Sequence, residues 1–163
     1  MDKPRIGFIG IGKMMTSHIP GFIGKEGTQA VAVCDVDKNH AEAAAAHKEV
    51  GEGKAAVFED YRKLLERKDI EIVTISTPDH WHTAIALAAL RAGKAVWTEK
   101  PIAQELADTA KIVDLWRETG LPVQVGFMRR WEPDYVRAKA RLASGEYGRP
   151  MLFKSLQFDP EPP

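Results

Sequence analysis

The sequence predicts an α/β fold, a mostly parallel sheet wound by helices on both faces, on three observations. Short apolar runs of strand length alternate with segments of helical period along nearly the whole chain. The first run, in Pro4-Arg5-Ile6-Gly7-Phe8-Ile9-Gly10-Ile11-Gly12-Lys13, turns on two glycines straight into a helix. The second, Ala30-Val31-Ala32-Val33-Cys34, ends on the acidic residue Asp35. Repeated β-α-β units read this way, because a parallel strand is reached only by a crossover long enough to hold a helix.

Taken in order, strands are expected at Arg5 to Ile9, Ala30 to Cys34, Ala56 to Phe58, Ile72 to Ser76, Ala95 to Thr98 and Val123 to Gly126. Helices fill the gaps. The first starts near Lys13. The alanine-rich Asn39 to Lys48 segment has strong intrinsic helix preference, with Asp37 as its cap candidate. Tyr61 to Arg67 forms a short helix, and His82 to Ala92 is stopped by Gly93 in a left-handed conformation. In the next helix Leu106, Ala110, Val113 and Trp116 mark the core face, and Gly120 and Pro122 end it.

Composition bounds the function. At 163 residues, 44% hydrophobic, 28% charged and with zero net charge, the chain has an ordinary soluble composition for one domain. That balance gives no general attraction to nucleic acid or anionic membranes, so phosphate recognition must be local. No stretch approaches the ~20 apolar residues of a membrane span and the start lacks a secretory pattern, so a cytoplasmic location is expected. The single cysteine, Cys34, excludes an internal disulfide and a cysteine-based zinc site and reads as a small buried apolar residue.

The glycine turn carries the first chemistry. Gly10 and Gly12 allow a tight turn and close backbone approach, while the helix start at Lys13 and Met14 offers unpaired N–H groups and a positive dipole end to a pyrophosphate. In the G-x-G-x-x-G pattern Met15 replaces the third glycine, a departure at a point where helix and strand normally pack closely. Asp35 stands 20 positions beyond Met15, which matches the ~20-residue interval at which a carboxylate meets the adenosine ribose. Capping a strand or helix is its plainer alternative. A carboxylate there repels a 2′-phosphate, so NAD is expected over NADP, with Lys38 nearby as the opposing feature.

A second cluster follows later strands: Ser76-Thr77-Pro78-Asp79-His80-Trp81-His82, and Trp97-Thr98-Glu99-Lys100-Pro101. Both begin at strand C-termini, so they belong to the same rim as the glycine turn. Lys100 and the histidines can supply proton transfer or hydrogen bonds there, although Pro78 serves equally as a stop before a helix and His82 as a helix-start residue. His80 and His82 make a poor metal site, having alternate spacing and no evident third ligand, so no metal is expected.

These residues together carry a resemblance. The glycine turn, Asp35, Thr77-Pro78 with His82, Ala92-Gly93-Lys94 and above all Glu99-Lys100-Pro101 look like the glucose-fructose oxidoreductase, inositol dehydrogenase and MocA family. Gly126-Phe127-Met128-Arg129-Arg130 and Gly145-Glu146-Tyr147-Gly148-Arg149-Pro150 continue the likeness. It implies a Rossmann-type nucleotide-binding domain and NAD(P)-dependent redox chemistry at a carbinol carbon of a sugar, inositol or related polyol. Gly10 and Gly12 would hold pyrophosphate, Asp35 the ribose, and Thr77, Pro78 and His82 would line the cleft. Lys100 would face nicotinamide and substrate as an electrostatic group. Glu99 either pairs with Lys100, contacts a cofactor ribose or forms a structural salt bridge. A cis peptide at Pro101 is implied as well.

The expected domains are 1–127 for the dinucleotide and 128–163 for a connecting helix plus the first strand, Met151 to Phe158, of a substrate domain that the family continues into. The chain then ends in Asp159-Pro160-Glu161-Pro162-Pro163. An apolar edge there would favour self-association or a partner carrying the missing domain. Arg129, Arg130 and Trp131 could touch a polar substrate, or serve interdomain ion pairing and packing. His18, His40 and His47 fall on helices with no convergent partner in sequence. Three functions stay open: the NAD-binding half of a polyol dehydrogenase, incomplete alone; an NAD-dependent glycoside hydrolase; or a non-catalytic dinucleotide-binding partner module.

Overall fold

Six strands, β1 (Arg5–Ile9), β2 (Gln29–Cys34), β3 (Ala56–Phe58), β4 (Ile72–Ile75), β5 (Ala95–Thr98) and β6 (Val123–Val125), form one sheet in the order β3-β2-β1-β4-β5-β6. Every pairing is parallel. The computed structural model describes residues 3–23 and 27–156. The helices are α1 (Lys13–Ile23), α2 (Lys38–Ala45), α3 (Tyr61–Leu65), α4 (Asp79–Arg91), α5 (Leu106–Thr119) and α6 (Pro133–Ala143), with short 3₁₀ turns at Gly51–Gly53 and Met128–Arg130. The chain divides into two units, one ending at Gly126 and the other starting at Phe127.

Period-two alternation sorts the strand side chains onto two cores. Ile6 and Phe8 of β1 join Met15, Ile19, Ala41 and Ala45 from α1 and α2. Ile9, with Val73 and Ile75 of β4, joins Leu64, Ile85, Leu90 and Ile112 from α3, α4 and α5. The β1–β2 register slips between Ile6 and Gly7, whose partners are Ala30 and Ala32, so Val31 is the extra residue of a bulge.

The helix ends follow local chemistry. Asp37 caps α2 by accepting from the Asn39 N–H at 2.9 Å, and Asp60 caps α3 by accepting from the Arg62 N–H at 2.9 Å. Gly93 and Gly120 adopt the left-handed conformation, at φ 74° and 66°, just past α4 and α5. Helix α4 begins at Asp79 rather than His82, because extended Pro78 (ψ 146°) is the last non-helical residue and Asp79 supplies a carboxylate to the first turn.

Two expectations are corrected. The stripe Leu106, Ala110, Val113 and Trp116 is not the core face of α5: Leu106 is 84% exposed and Trp116 42%, whereas Ile112 is buried. The phase of α5 is set by Ile112 and Leu115, which pack into the core with Val73 and Ile75 of β4 and lie roughly 135° round the helix from that stripe. Residues 151–156 form no strand, for no strand among the described residues pairs with them, and the exposed segment leaves its backbone groups to water. Phe158 and the proline-rich residues 159–163 lie outside the described residues.

The N-terminal edge of the sheet carries stabilising polar contacts. Asp69 bridges Arg67, at 2.7 and 2.9 Å, and Arg5, at 2.7 Å. The Arg67 guanidinium, followed by that of Arg5, holds the Asp69 carboxyl down at about 2. Lys94 is buried and donates through Nζ to the carbonyls of Arg67 and Ile70 at 2.6 and 2.8 Å. Burial pushes its ammonium below the usual lysine range.

Candidate functional site

The chain goes outward from β1 to β2 and β3, then crosses back to place β4 on β1's other side. The strand order therefore reverses between β1 and β4, where open α/β sheets bind ligands outside the carboxyl ends of the strands. Backbone bonds one residue past each strand fix that rim: Gly10 N–H donates to Cys34 O, Asp35 N–H to Phe58 O, Ser76 N–H to Ile9 O and Glu99 N–H to Ile75 O, at 2.8–3.1 Å. The turn residues are thus positioned by the sheet itself.

A cavity of about 460 Å³ opens at this reversal. Its lining includes Gly10, Gly12, Asp35, Ser76, Thr77, Pro78 and Trp81, which the sequence singles out, together with Val36, Glu59, Asp60, Tyr61 and Arg62, which it does not. The Glu59–Arg62 segment follows β3, so the strand-end rule that selects the other turns would have selected it too.

The two glycines have different reasons. Gly10 has φ +85°, and a Cβ there would lie 2.6 Å from Thr77 N and 2.7 Å from Ser76 C, so the fold itself requires glycine. Gly12 has ordinary φ, and its Cβ would meet no heavy atom within 4 Å. No protein contact demands glycine at 12; it leaves open space beside the start of α1, where a ligand's backbone contacts would lie. Lys13 is exposed in that first turn, and the Met14 side chain lies outside what the structure describes. Met15, fully buried, solves the departure from the glycine pattern by filling the α1 side of the core, its Sδ 3.8 Å from Thr74 Oγ1.

Asp35 ties the rim together. Its Oδ2 accepts from the Ile11 N–H at 2.6 Å and its Oδ1 from the Asp37 N–H at 2.8 Å. A carboxylate has about four lone-pair positions, so both oxygens keep capacity to accept hydroxyl donors. Beside it, Cys34 is 3% exposed, and burial, then Asp35 and Asp60, push its thiol up to about 12; it is apolar lining, not a nucleophile. Arg62 Nη1 lies 3.3 and 3.2 Å from the Asp60 carboxylate oxygens, so the cavity lining holds the acidic residues Asp35, Glu59 and Asp60 together with a cation that is paired to Asp60. Lys38 pairs outward with Glu42 at 3.6 Å.

A dinucleotide fits this cradle on an observation internal to the protein. Ser76 Oγ and Thr77 Oγ1 are buried without a hydrogen-bond partner among the described residues, and both residues line the cavity. Such atoms are costly unless a bound group satisfies them.

His82 departs from the expected role. It is 1% exposed, with Nδ1 2.6 Å from Pro101 O and Nε2 2.9 Å from Thr77 O. Each ring nitrogen lies against a backbone carbonyl, and the buried ring joins the β4 and β5 turns. The Lys100–Pro101 bond is cis, as the resemblance implies. Lys100 is exposed at the tip of β5, and its side chain forms no ion pair among the described residues. Glu99 is 7% exposed and does not pair with Lys100's ammonium: Oε2 accepts the Lys100 backbone N–H at 3.1 Å, and Oε1 lies 2.8 Å from His18 Nε2. His18 therefore has a convergent partner, which the sequence reading does not supply. His40 and His47 stay at the surface, 3.9 Å from Asp37 and 4.0 Å from Glu49.

Arg129 and Arg130 belong to the second unit, where with Phe127, Tyr135, Val136 and Lys139 they line a separate cavity of about 590 Å³. The Arg129 guanidinium sits 5.1 Å from the Tyr135 ring centroid, and Trp131 is 70% exposed. Among the described residues no helix is long and apolar enough to cross a membrane.

Residues 4–127 match the profile of an oxidoreductase family, Gfo/Idh/MocA, described as an NAD-binding Rossmann fold. Inositol 2-dehydrogenase of Salmonella typhimurium is 35% identical over 150 residues, which cover 91% of this chain and 44% of that protein. Bacillus subtilis scyllo-inositol 2-dehydrogenase (NAD(+)) is 34% identical over 156 residues, covering 95% and 44%. The crystal structure of Lactobacillus casei myo-inositol dehydrogenase in complex with NAD(H) and myo-inositol superposes with a TM-score of 0.84 at 35% identity, covering 92% of this chain and 44% of that one. The chain thus spans less than half the length of the relatives it matches.

Proposed function

The chain belongs to the Gfo/Idh/MocA oxidoreductase family and carries its NAD-binding Rossmann fold; from that premise we propose that it is the cofactor-binding half of a dehydrogenase acting on inositol or a related polyol, catalytically incomplete by itself. The observation that carries the reading is the cavity at the sheet reversal, where the Gly10 turn, Asp35 and the unpartnered Ser76 and Thr77 hydroxyls converge. The first turn of α1, with the space left at Gly12, takes the pyrophosphate, and Asp35 accepts from the adenosine ribose. The carboxylates of Asp35, Glu59 and Asp60 disfavour a 2′-phosphate, which makes NAD the cofactor over NADP.

Bound there, nicotinamide supplies a hydride acceptor or donor. Oxidation of a carbinol requires its hydroxyl to lose a proton, and the exposed Lys100 cation stabilises the negative charge that develops on that oxygen. Proton removal and most substrate contacts fall to groups outside this chain, in keeping with its 44% coverage of the named inositol dehydrogenases. Those dehydrogenase names favour net redox over redox-assisted glycoside cleavage. Met151, Leu152, Phe153 and Leu156, at 69–88% exposed, are surface for a substrate domain or a second copy.

Titrating NADH against the chain by fluorescence tests the reading. Saturable binding, with no inositol-dependent NADH formation by the chain alone, is expected. A folded chain that does not bind NADH overturns it.

A further inference from the structure

Glu99 immediately precedes the lysine of the proposed reaction, and only 7% of it is exposed. A carboxylate so buried is stable only if its oxygens are engaged. They divide between two elements: Oε2 accepts the backbone N–H of Lys100 at 3.1 Å, and Oε1 lies 2.8 Å from Nε2 of His18 on α1. The approach to His18 is off the axis of an aligned N–H bond, so this link is a close polar contact rather than a straight hydrogen bond.

Ring packing holds the His18 imidazole in place. It meets Trp97 of β5 edge-on, with centroids 5.4 Å apart at 60°, and Trp97 in turn meets Phe22 of α1 at 5.0 Å and 79°. Trp97 also packs against Gly126, where a Cβ would come within 2.8 Å of the indole Cζ2. The imidazole thus faces Glu99 from a wall that cannot easily turn away.

We propose that His18 is a positioning residue for Lys100, acting through the Glu99 carboxylate. Helix α1 begins at the turn that holds the cofactor's pyrophosphate, and its second turn holds the residue that fixes the backbone beneath the lysine. One rigid element then sets the distance between the cofactor's phosphates and the reacting end of the site. This inference rests on the reading of Lys100 as the substrate-facing cation.

The test uses ¹⁵N–¹H spectra of the chain. His18→Phe keeps a ring against Trp97 but removes the polar contact, so the Lys100 amide proton should move upfield, more than other amides at the β5 tip. His18→Gln, which returns a donor near the Nε2 position, should restore most of that shift. A Lys100 amide unmoved in folded His18→Phe, or a glutamine variant indistinguishable from the phenylalanine one, overturns the proposal. Should His18→Phe not fold, His18→Asn, whose shorter amide falls short of the Glu99 carboxylate, takes its place in the same comparison, and a Lys100 amide unmoved in it overturns the link. NADH titration of the wild type separates the two readings. Loss of NADH binding removes the proposed function, whereas intact binding with an uncoupled Lys100 amide removes only the role of His18.

Discussion

Replacing Asp35 by asparagine changes one atom and should cost more than its size suggests. Two backbone donors, Ile11 N–H at 2.6 Å and Asp37 N–H at 2.8 Å, each point at a different carboxylate oxygen. An amide has one oxygen, so in either orientation its NH₂ group faces an N–H donor. A hydrogen bond to a charged acceptor contributes about 1.5–3 kcal/mol, so the loss weakens a ligand that depends on that geometry by about 10- to 150-fold. The loss of negative charge acts in the opposite sense on a 2′-phosphate. NADH affinity should therefore fall by that factor while NADPH affinity falls less or rises, read as two dissociation constants from fluorescence titrations. A folded Asp35→Asn chain whose NADH affinity stays within about twofold of wild type, below the tenfold that 1.4 kcal/mol represents, would refute the placement of Asp35 at the ribose.

The two glycines separate fold from function. Gly10→Ala must place a Cβ 2.6 Å from a backbone nitrogen at positive φ, and a left-handed conformation alone costs a non-glycine residue about 1–2 kcal/mol, so its thermal midpoint should drop sharply. Gly12→Ala meets no protein atom and should keep or slightly raise the midpoint, by about 0.4–1 kcal/mol of stability, while NADH binding weakens; unaltered binding would remove the ligand-space reading of Gly12. Acid sensitivity should trace to the N-terminal edge of the sheet. The folded Asp69 carboxyl is held at about 2, below the ordinary 3.8 of a free aspartate, so its contribution is present above pH 3.8 and lost as pH falls towards 2. Because its side chain is 34% exposed, about 1 kcal/mol is expected after screening. Asp69→Asn should be less stable than wild type at neutral pH by that amount, with the gap closing near pH 2 in urea melts.

Features governed by neighbours in the chain were legible in the sequence. The glycine turn, the acidic end of β2, the helix stops at Gly93 and Gly120 and the cap at Asp37 each depend on a few consecutive residues. The core face of α5 was not, because the helix carries apolar residues on more than one side and only the packing of Ile112 and Leu115 chooses between them. Met15 read correctly as a departure, but what accommodates it is Thr74 across the core, far along the chain. His82 was selected for the right neighbourhood and the wrong job, since spacing cannot tell a ring facing a cleft from one held between two carbonyls. The His18–Glu99 contact has no local signature at all: it exists only because α1 and the tip of β5 are brought together by the sheet.

The close approach of Gly10 to Ser76 and Thr77 also bears on how the molecule is assembled. The turn after β1 has no wall on that side until β4, arriving much later in the chain, has docked alongside it. A nascent polypeptide ending before residue 76 therefore owns the glycine turn but not the recess beside it. Dinucleotide recognises only the correctly threaded topology, and at 100 times its dissociation constant it would stabilise that topology by about 2.7 kcal/mol.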